Sequence, residues 1–303
     1  MNHSLDNPMA SCALCPRRCG VDRTAGQVGV CGVTDTLRVA RIAPHMWEEP
    51  PISGTRGSGT VFFGGCNLGC VYCQNRAIRD GALGEVLNES VLLERVEALA
   101  ATGVHNINLV TPSHYTRALV PFLDKLRRCV SLPVVWNCGG YETVESLRML
   151  EGLVDIYLPD FKYATAQMAV YSHAPDYPQV AAEAIAEMYR QRGAVRFDKE
   201  GMLQSGVVVR HLVLPGGRKD SEAVLARLAE IVPVSDIRLS LMSQYTPDFV
   251  DGDQYPALKR RVTTFEYNSV LKCAERMGFD GYFQSRESAT AAFTPDFKEF
   301  LPQ

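Results

Sequence analysis

No apolar run in this sequence reaches the roughly 20 residues needed to cross a bilayer, and Met1–Ala10 is polar, without the apolar core of a secretory leader. The reading therefore expects a cytoplasmic protein and no membrane partner. Neither sign of charge dominates: 31 Lys and Arg stand against 34 Asp and Glu, a net of −3. That balance lacks the basic excess of a nucleic-acid-binding surface. Low-complexity tracts are absent, as is any repeat beyond a strand–helix alternation. Without a leader, the 10 cysteines argue against a disulfide framework and for metal sites in a reducing compartment. With 46% hydrophobic and 21% charged residues, the chain has the composition of a globular enzyme, as one large domain with an appendage or as two domains.

The densest chemistry lies at Gly64-Gly65-Cys66-Asn67-Leu68-Gly69-Cys70-Val71-Tyr72-Cys73. Three cysteines fall within eight residues, spaced Cys-x3-Cys-x-aromatic-Cys, directly after the strand-like run Thr60–Phe63. Cysteine thiolates hold iron–sulfur clusters. Three of them on a [4Fe-4S] cluster leave one iron without a protein ligand, which makes the loop a candidate reaction centre. A partial zinc site or buried thiols are the plain alternatives. The spacing resembles that of the radical S-adenosylmethionine (radical SAM) superfamily. The resemblance implies that SAM chelates the fourth iron and that the reduced cluster cleaves it to a 5′-deoxyadenosyl radical.

A second set precedes it. Cys12, Cys15, Cys19 and Cys31 are spaced Cys-x2-Cys-x3-Cys-x11-Cys among glycines 20, 26, 29 and 32. Four thiols suit a tetrahedral zinc knuckle or an auxiliary iron–sulfur cluster that relays electrons. The expected domains are a four-cysteine metal-binding extension over 1–43 and a barrel with a C-terminal helix over 44–303. Residues 44–58, rich in Pro and Gly, read as a loop over the barrel mouth. His45, Glu48 and Glu49 are its candidate functional residues, with a solvated loop over a buried Trp47 as the plain alternative.

From residue 59, strand-like and helical runs alternate. The strands are expected at Thr60–Phe63, Ile107–Val110, Val134–Trp136, Ile156–Leu158, Val207–Leu214 and Ile237–Met242. Short apolar strands of this kind suit a parallel sheet covered by helices. The fold class is α/β, a partial (β/α)6 barrel of the radical SAM type. Helical patterns at 87–101, 115–129, 144–150, 179–190, 222–231 and 265–277 lie between and after the strands. Thr263 and Glu266 form a capping box for the last, and Gly278 ends it. Residues 193–206 read as a surface hairpin.

Chemistry in such barrels sits at the C-terminal strand ends. There the sequence places Thr111-Pro112-Ser113-His114, Asn137-Cys138-Gly139-Gly140, Asp160-Phe161-Lys162, Arg210-His211 and Gln244-Tyr245. Asp160 and Lys162, two apart on an extended segment, share a side. They suit a ribose hydroxyl or cation and a carboxylate respectively, with a structural ion pair as the alternative. Arg210, among apolar neighbours, requires a carboxylate. Thr111, Ser113 and Asn137 offer polar groups. Tyr72, Gln244 and Tyr245 have the chemistry to meet adenine. His114 reads as a helix-start residue, and Cys129 and Cys273 as helix-face packing.

Together, Cys73-Gln74-Asn75, the Asn137-x-Gly-Gly turn, Asp160-Phe161-Lys162 and Arg210-His211-Leu212-Val213-Leu214-Pro215-Gly216 resemble the pyruvate formate-lyase activating enzyme group over roughly residues 45–285. The chain is most similar to its activating-enzyme-related subgroup, with Thr111-Pro112 in place of Gly-Gly-Glu and Asn137 in place of an Asp. The resemblance implies an oxidoreductase in which Asp160 and Lys162 contact SAM. It also implies a flavodoxin- or ferredoxin-type reductant and a glycyl radical enzyme or peptide as substrate. An iron–sulfur electron carrier or redox-responsive binding protein without SAM chemistry is the competing class.

Overall fold

The computed structural model describes residues 11–250 and 252–284. The outer ends of both expected domains lie outside them. The strands are β1 Leu37–His45, β2 Ser58–Phe63, β3 Glu85–Leu87, β4 Ile107–Val110, β5 Val134–Cys138, β6 Ile156–Pro159, β7 Arg196–Phe197, β8 Leu203–Leu212, β9 Arg238–Met242 and β10 Gly281–Phe283. The helices are α1 Pro50–Ser53, α2 Arg76–Arg79, α3 Glu89–Ala101, α4 Thr116–Cys129, α5 Val144–Arg148, α6 Ala166–Ala169, α7 Tyr177–Arg192, α8 Arg218–Ile231 and α9 Thr264–Arg276.

The sheet runs β10-β9-β8-β6-β5-β4-β2-β1-β3. From β2 to β10 every neighbour on that path is parallel. This is the expected α/β partial barrel, with the six expected strands in sequence order and a short β10 added beyond β9. Parallel strands buried on both faces need no polar alternation, which is why their runs read as continuous apolar stretches. The 193–206 hairpin forms as β7 against β8, antiparallel.

One edge differs from the expectation. The segment before residue 44 is not a separate unit: β1 pairs antiparallel with β2 from Val39–Phe63 to His45–Ser58, so the expected boundary at 43 falls inside a strand. Val33, Leu37 and Val39 join the same apolar core as the barrel helices. The expected loop over 44–58 holds the end of β1 and the short α1.

Helix ends follow local rules. Thr263 caps α9 through Glu266 N–H, and the Glu266 side chain returns to Thr263 N–H, a full capping box. Gly278, at φ +79°, follows the helix. Asn88 and Thr143 cap α3 and α5.

His114 ties these layers together. It is buried, its Nε2 hydrogen-bonds the Gly64 carbonyl at 2.9 Å, and its own carbonyl accepts from the buried Arg23 at 2.6 Å. Burial, the leading cause, together with the Arg23 charge, pushes its pKa down to about 3. The unfolded chain binds a proton near pH 6.5 and the folded one does not, so His114 weakens the fold as pH drops from 6.5 towards 3. The slope from this one group is about 1.4 kcal/mol per pH unit. His114→Gln keeps an N–H donor for Gly64 and removes the titration. Between pH 7 and pH 5, urea unfolding should therefore cost the wild type about 2 kcal/mol more than the variant; equal losses would show that His114 does not carry this limb.

Candidate functional site

Alternate residues of a strand share a face, and along the barrel strands the inward faces stack in layers. The lower layer is apolar: Val135, Ile156, Leu158, Leu203 and Val208 close on Ile52 of α1. Two residues further along, at the C-terminal ends of β5, β6 and β8, the same faces carry Asn137, Asp160 and Arg210. The buried Glu48 and Glu49, from the link between β1 and α1, enter this polar layer.

Arg210 is its centre. Its Nε meets Asp160 Oδ1 at 3.2 Å and its Nη1 meets Glu48 Oε2 at 3.4 Å. Its Nη2 donates to Asn137 Oδ1 at 2.6 Å. Lys162 Nζ lies 2.5 Å from the other Asp160 oxygen. Glu48 Oε1 accepts from Asn108 at 3.0 Å and Asn137 at 3.2 Å. Burial opposes every charge here, and its balance with the neighbours differs from group to group. Asp160 stays below the usual carboxylate range because Lys162 and Arg210 outweigh its desolvation. Arg210 and Lys162 are held above their ordinary values by the carboxylates around them, against burial. Glu48 and Glu49 are pushed up by burial, with Arg210 opposing. Glu49 Oε2 has no hydrogen-bond partner among the described residues.

The cysteine loop crosses above this layer, directly after β2. Gly65 and Gly69 adopt φ +90° and +82°, left-handed values that glycine takes without strain. A Cβ at Gly139 would stand 2.8 Å from Leu68 of the loop. A Cβ at Gly140 would stand 2.1 Å from the Asp160 carbonyl, so the paired glycines let the β5 end press against both β6 and the loop. The result is a cavity of about 250 Å³ whose wall includes Cys66, Cys70 and Cys73 together with Asn137, Asp160, Lys162 and Arg210. Phe62, Val110, Leu212 and Met242 supply its apolar wall, and His45, Trp47 and Glu48 also border it. Trp47, buried only in the plain alternative for this loop, is 62% exposed.

Burial raises the Cys66 and Cys73 thiols, the latter to about 12, and neighbouring cysteines add to both. Such a group of thiols becomes thiolate when a cation displaces its protons. Hydrogen bonds to sulfur tune a cluster, and two are already in place. Leu68 N–H donates to Cys66 Sγ at 3.4 Å. Cys70 Sγ lies 2.8 Å from Ser172 Oγ, which continues at 2.7 Å to Tyr163 and at 2.6 Å to the Tyr72 hydroxyl. Among the described residues, no three Cys, His, Asp or Glu side chains are gathered tightly enough for a single metal ion. The donor set, three soft sulfurs on one cavity facing carboxylates and cations, fits an iron–sulfur cluster with an amino-acid-bearing cation beside it.

Of the residues expected to contact SAM, Tyr72, Thr111, Asn137, Asp160, Lys162, Arg210 and Gln244 lie on the cavity wall. Ser113 and Tyr245 do not. Ser113 is buried and donates to Glu142 Oε1. Tyr245 packs edge-on against Tyr72 and gives its hydroxyl to the Leu258 carbonyl at 2.6 Å. Thr111 sits at φ +58°, a strained value for a β-branched residue and one that concentrates at functional sites. Glu142, Ser172 and Tyr163 were not foreseen. Ser172 and Tyr163 act through another side chain and carry no motif, whereas Glu142, two residues past Gly139-Gly140, was open to notice. Cys138 is buried on the cavity wall, Cys273 packs at the core edge, and Cys129, expected to pack, is exposed.

Residues 60–193 match the family model described as the radical SAM superfamily. An uncharacterized protein of Methanocaldococcus jannaschii is 25% identical over 284 residues, covering 90% of this chain and 77% of that protein. Among solved structures, a radical SAM methyltransferase from Sphaerobacter thermophilus aligns at 13% identity with a TM-score of 0.38, over 77% of this chain and 69% of that one.

Removing one partner of a buried ion pair costs about 3–5 kcal/mol. Arg210→Leu leaves Asp160, Glu48 and Glu49 with Lys162 as their nearest cation, so denaturant unfolding at pH 7 should show a loss of that order. Lowering the pH towards 5 should recover part of it as the stranded carboxylates take up protons. A loss below about 1 kcal/mol would mean that water already screens the layer.

Proposed function

We propose that this chain, which belongs to the radical SAM superfamily, abstracts a hydrogen atom from the backbone of a partner protein, a glycine being the favoured position. One observation carries the reading: the three-cysteine loop and the Asp160–Lys162–Arg210 layer line one cavity. When bound, a [4Fe-4S] cluster with SAM supplies a 5′-deoxyadenosyl radical. The chain's own residues hold and orient. Cys66, Cys70 and Cys73 are the three thiolates. Lys162 is the cation for the SAM carboxylate, and the carboxylates of the layer face its positive groups. Asn137, Gln244 and the Thr111 backbone offer hydrogen bonds.

The cavity's border supports a macromolecular substrate. Trp47 lies on that border and is exposed. Exposed aromatics at a cavity edge suit a protein partner. The similarity of the Asp160-Phe161-Lys162 and Arg210–Gly216 segments to activating enzymes points the same way, and to a one-electron reductant of flavodoxin or ferredoxin type. Among the described residues, no helix is long and apolar enough to cross a membrane.

The test is anaerobic reconstitution followed by dithionite and SAM, with mass spectrometry for 5′-deoxyadenosine. The wild type should release it, and Cys70→Ala should fall at least about 100-fold, to background. An intact cluster that yields no nucleoside would instead favour a pure electron carrier. A glycyl radical enzyme added to the mixture should gain an EPR-visible backbone radical; nucleoside release without that signal retains the radical chemistry and discards the glycine substrate.

A further inference from the structure

We propose that Cys12, Cys15, Cys19 and Cys31 form a second, tetrathiolate metal centre that braces the radical-site loop through the Cys31 carbonyl and the Arg17 side chain. This inference concerns a different set of thiols and does not rest on the proposed substrate.

Residues 11–36 contain no helix and no strand. Turns and contacts with the barrel, Cys31 and Val33 among them, shape this segment in place of elements of its own, and short loop-built stretches often add disulfides or metals. The structure has no disulfide here: all four cysteines are free, three of them buried and Cys19 half-buried. Yet the backbone draws them together. Cys12 N–H donates to Val21 O, and Gly20 N–H returns to Cys12 O, both at 3.0 Å, which sets Cys12 beside the Cys19–Gly20 turn. Val30 N–H donates to Cys19 Sγ at 3.4 Å, bringing the neighbouring Cys31 to the same place. A Cβ on Gly29 would stand 2.8 Å from that sulfur. Arg18 N–H donates to Cys15 O at 3.0 Å, closing the turn that carries the chain from Cys15 to Cys19. The four sulfurs are not closed around a single ion; the free energy of metal binding would supply the remaining ordering.

The same unit grips the radical-site loop. The Cys31 carbonyl accepts from Cys66 N–H at 3.2 Å, and a Cβ at Gly65 would stand 2.6 Å from that carbonyl. Arg17, between Cys15 and Cys19, reaches four backbone carbonyls. It donates to Asn67 O at 2.8 Å and Leu68 O at 3.1 Å, inside the loop, and to Ser172 and His173 beyond it. Its guanidinium also lies over the Tyr141 ring at 5.2 Å. A fixed metal unit thus holds the peptide between Cys66 and Cys70. Zinc or an iron–sulfur cluster would satisfy the same four thiolates.

Metal analysis of the anaerobically purified, reconstituted protein separates them without any turnover. Iron and sulfide matching a single cluster plus one zinc per chain would identify a zinc centre, and doubled iron and sulfide a second cluster. Iron for one cluster and no zinc would overturn the proposal. Cys19→Ser should lose the additional metal; if it is retained, these thiols are not its ligands. Arg17→Gln tests the brace in the metal-loaded protein. Amide hydrogen exchange at residues 67–70 should accelerate at least about tenfold, and unchanged protection there would sink the coupling.

Discussion

The half-buried guanidinium of Arg210 is the constraint on which the site depends. Burying an unpaired charge is prohibitive, so a barrel that places an arginine inside its lumen must bring acids to it. Asp160 arrives on the adjoining β6 and Glu48 from the distant link after β1. Glu48 then fixes Asn108 and Asn137, and Asp160 fixes Lys162. One ionic centre therefore sets the orientation of side chains from β4, β5, β6 and β8, and turns the upper lumen from packed core into a polar floor. The apolar layer beneath it, around Ile52 and Val135, keeps water from entering from below and lowers the local dielectric, which strengthens each pair above.

The position of the cysteine loop follows from that floor and from two close glycine contacts, the second of which no other residue permits. Gly139 lets Leu68 settle on the end of β5, and Gly140 lets the same turn touch the Asp160 carbonyl. The loop therefore rests on the strand ends that carry the charges. Its outer side is held by Arg17 and Cys31. Three thiols gathered on one cavity with a charged floor are pre-organised for a metal cluster and a zwitterionic cofactor; pre-organisation reduces the ordering cost of binding.

What was legible in the sequence is what local chemistry encodes. The Cys66–Cys73 spacing, the six short apolar strands, the Thr263–Glu266 capping box and the same-side pairing of Asp160 with Lys162 are all set by residues within a few positions of one another. What was hidden depends on long-range burial. Strand β1 was read as part of an extension because an antiparallel edge strand ahead of a parallel repeat breaks the βα period. Glu48 looked like one of several loop acids, since nothing near it in sequence shows that Arg210 is its partner. Tyr245 has the chemistry expected of an adenine contact, but its hydroxyl lies in the core with Leu258 O, and residue type does not report depth.

Thr111 joins the two kinds of information. Its identity, before Pro112, marked the place where the resembling enzymes carry Gly-Gly-Glu. The backbone shows a left-handed residue at the end of β4, φ +58°, with its N–H still bonded to Asn137 O at 2.8 Å. A threonine keeps that conformation only when its surroundings over-determine it. Here they do: the β5 ladder holds its amide, and the following turn is anchored by Ser113 on Glu142 and by His114 on Gly64. The strain lies on the cavity wall beside Asn137, where a backbone carbonyl turned out of the sheet can serve a ligand. A glycine would relieve the strain and loosen that carbonyl, so the rigid, costly residue is consistent with a site in which placement of the bound molecule matters more than local stability.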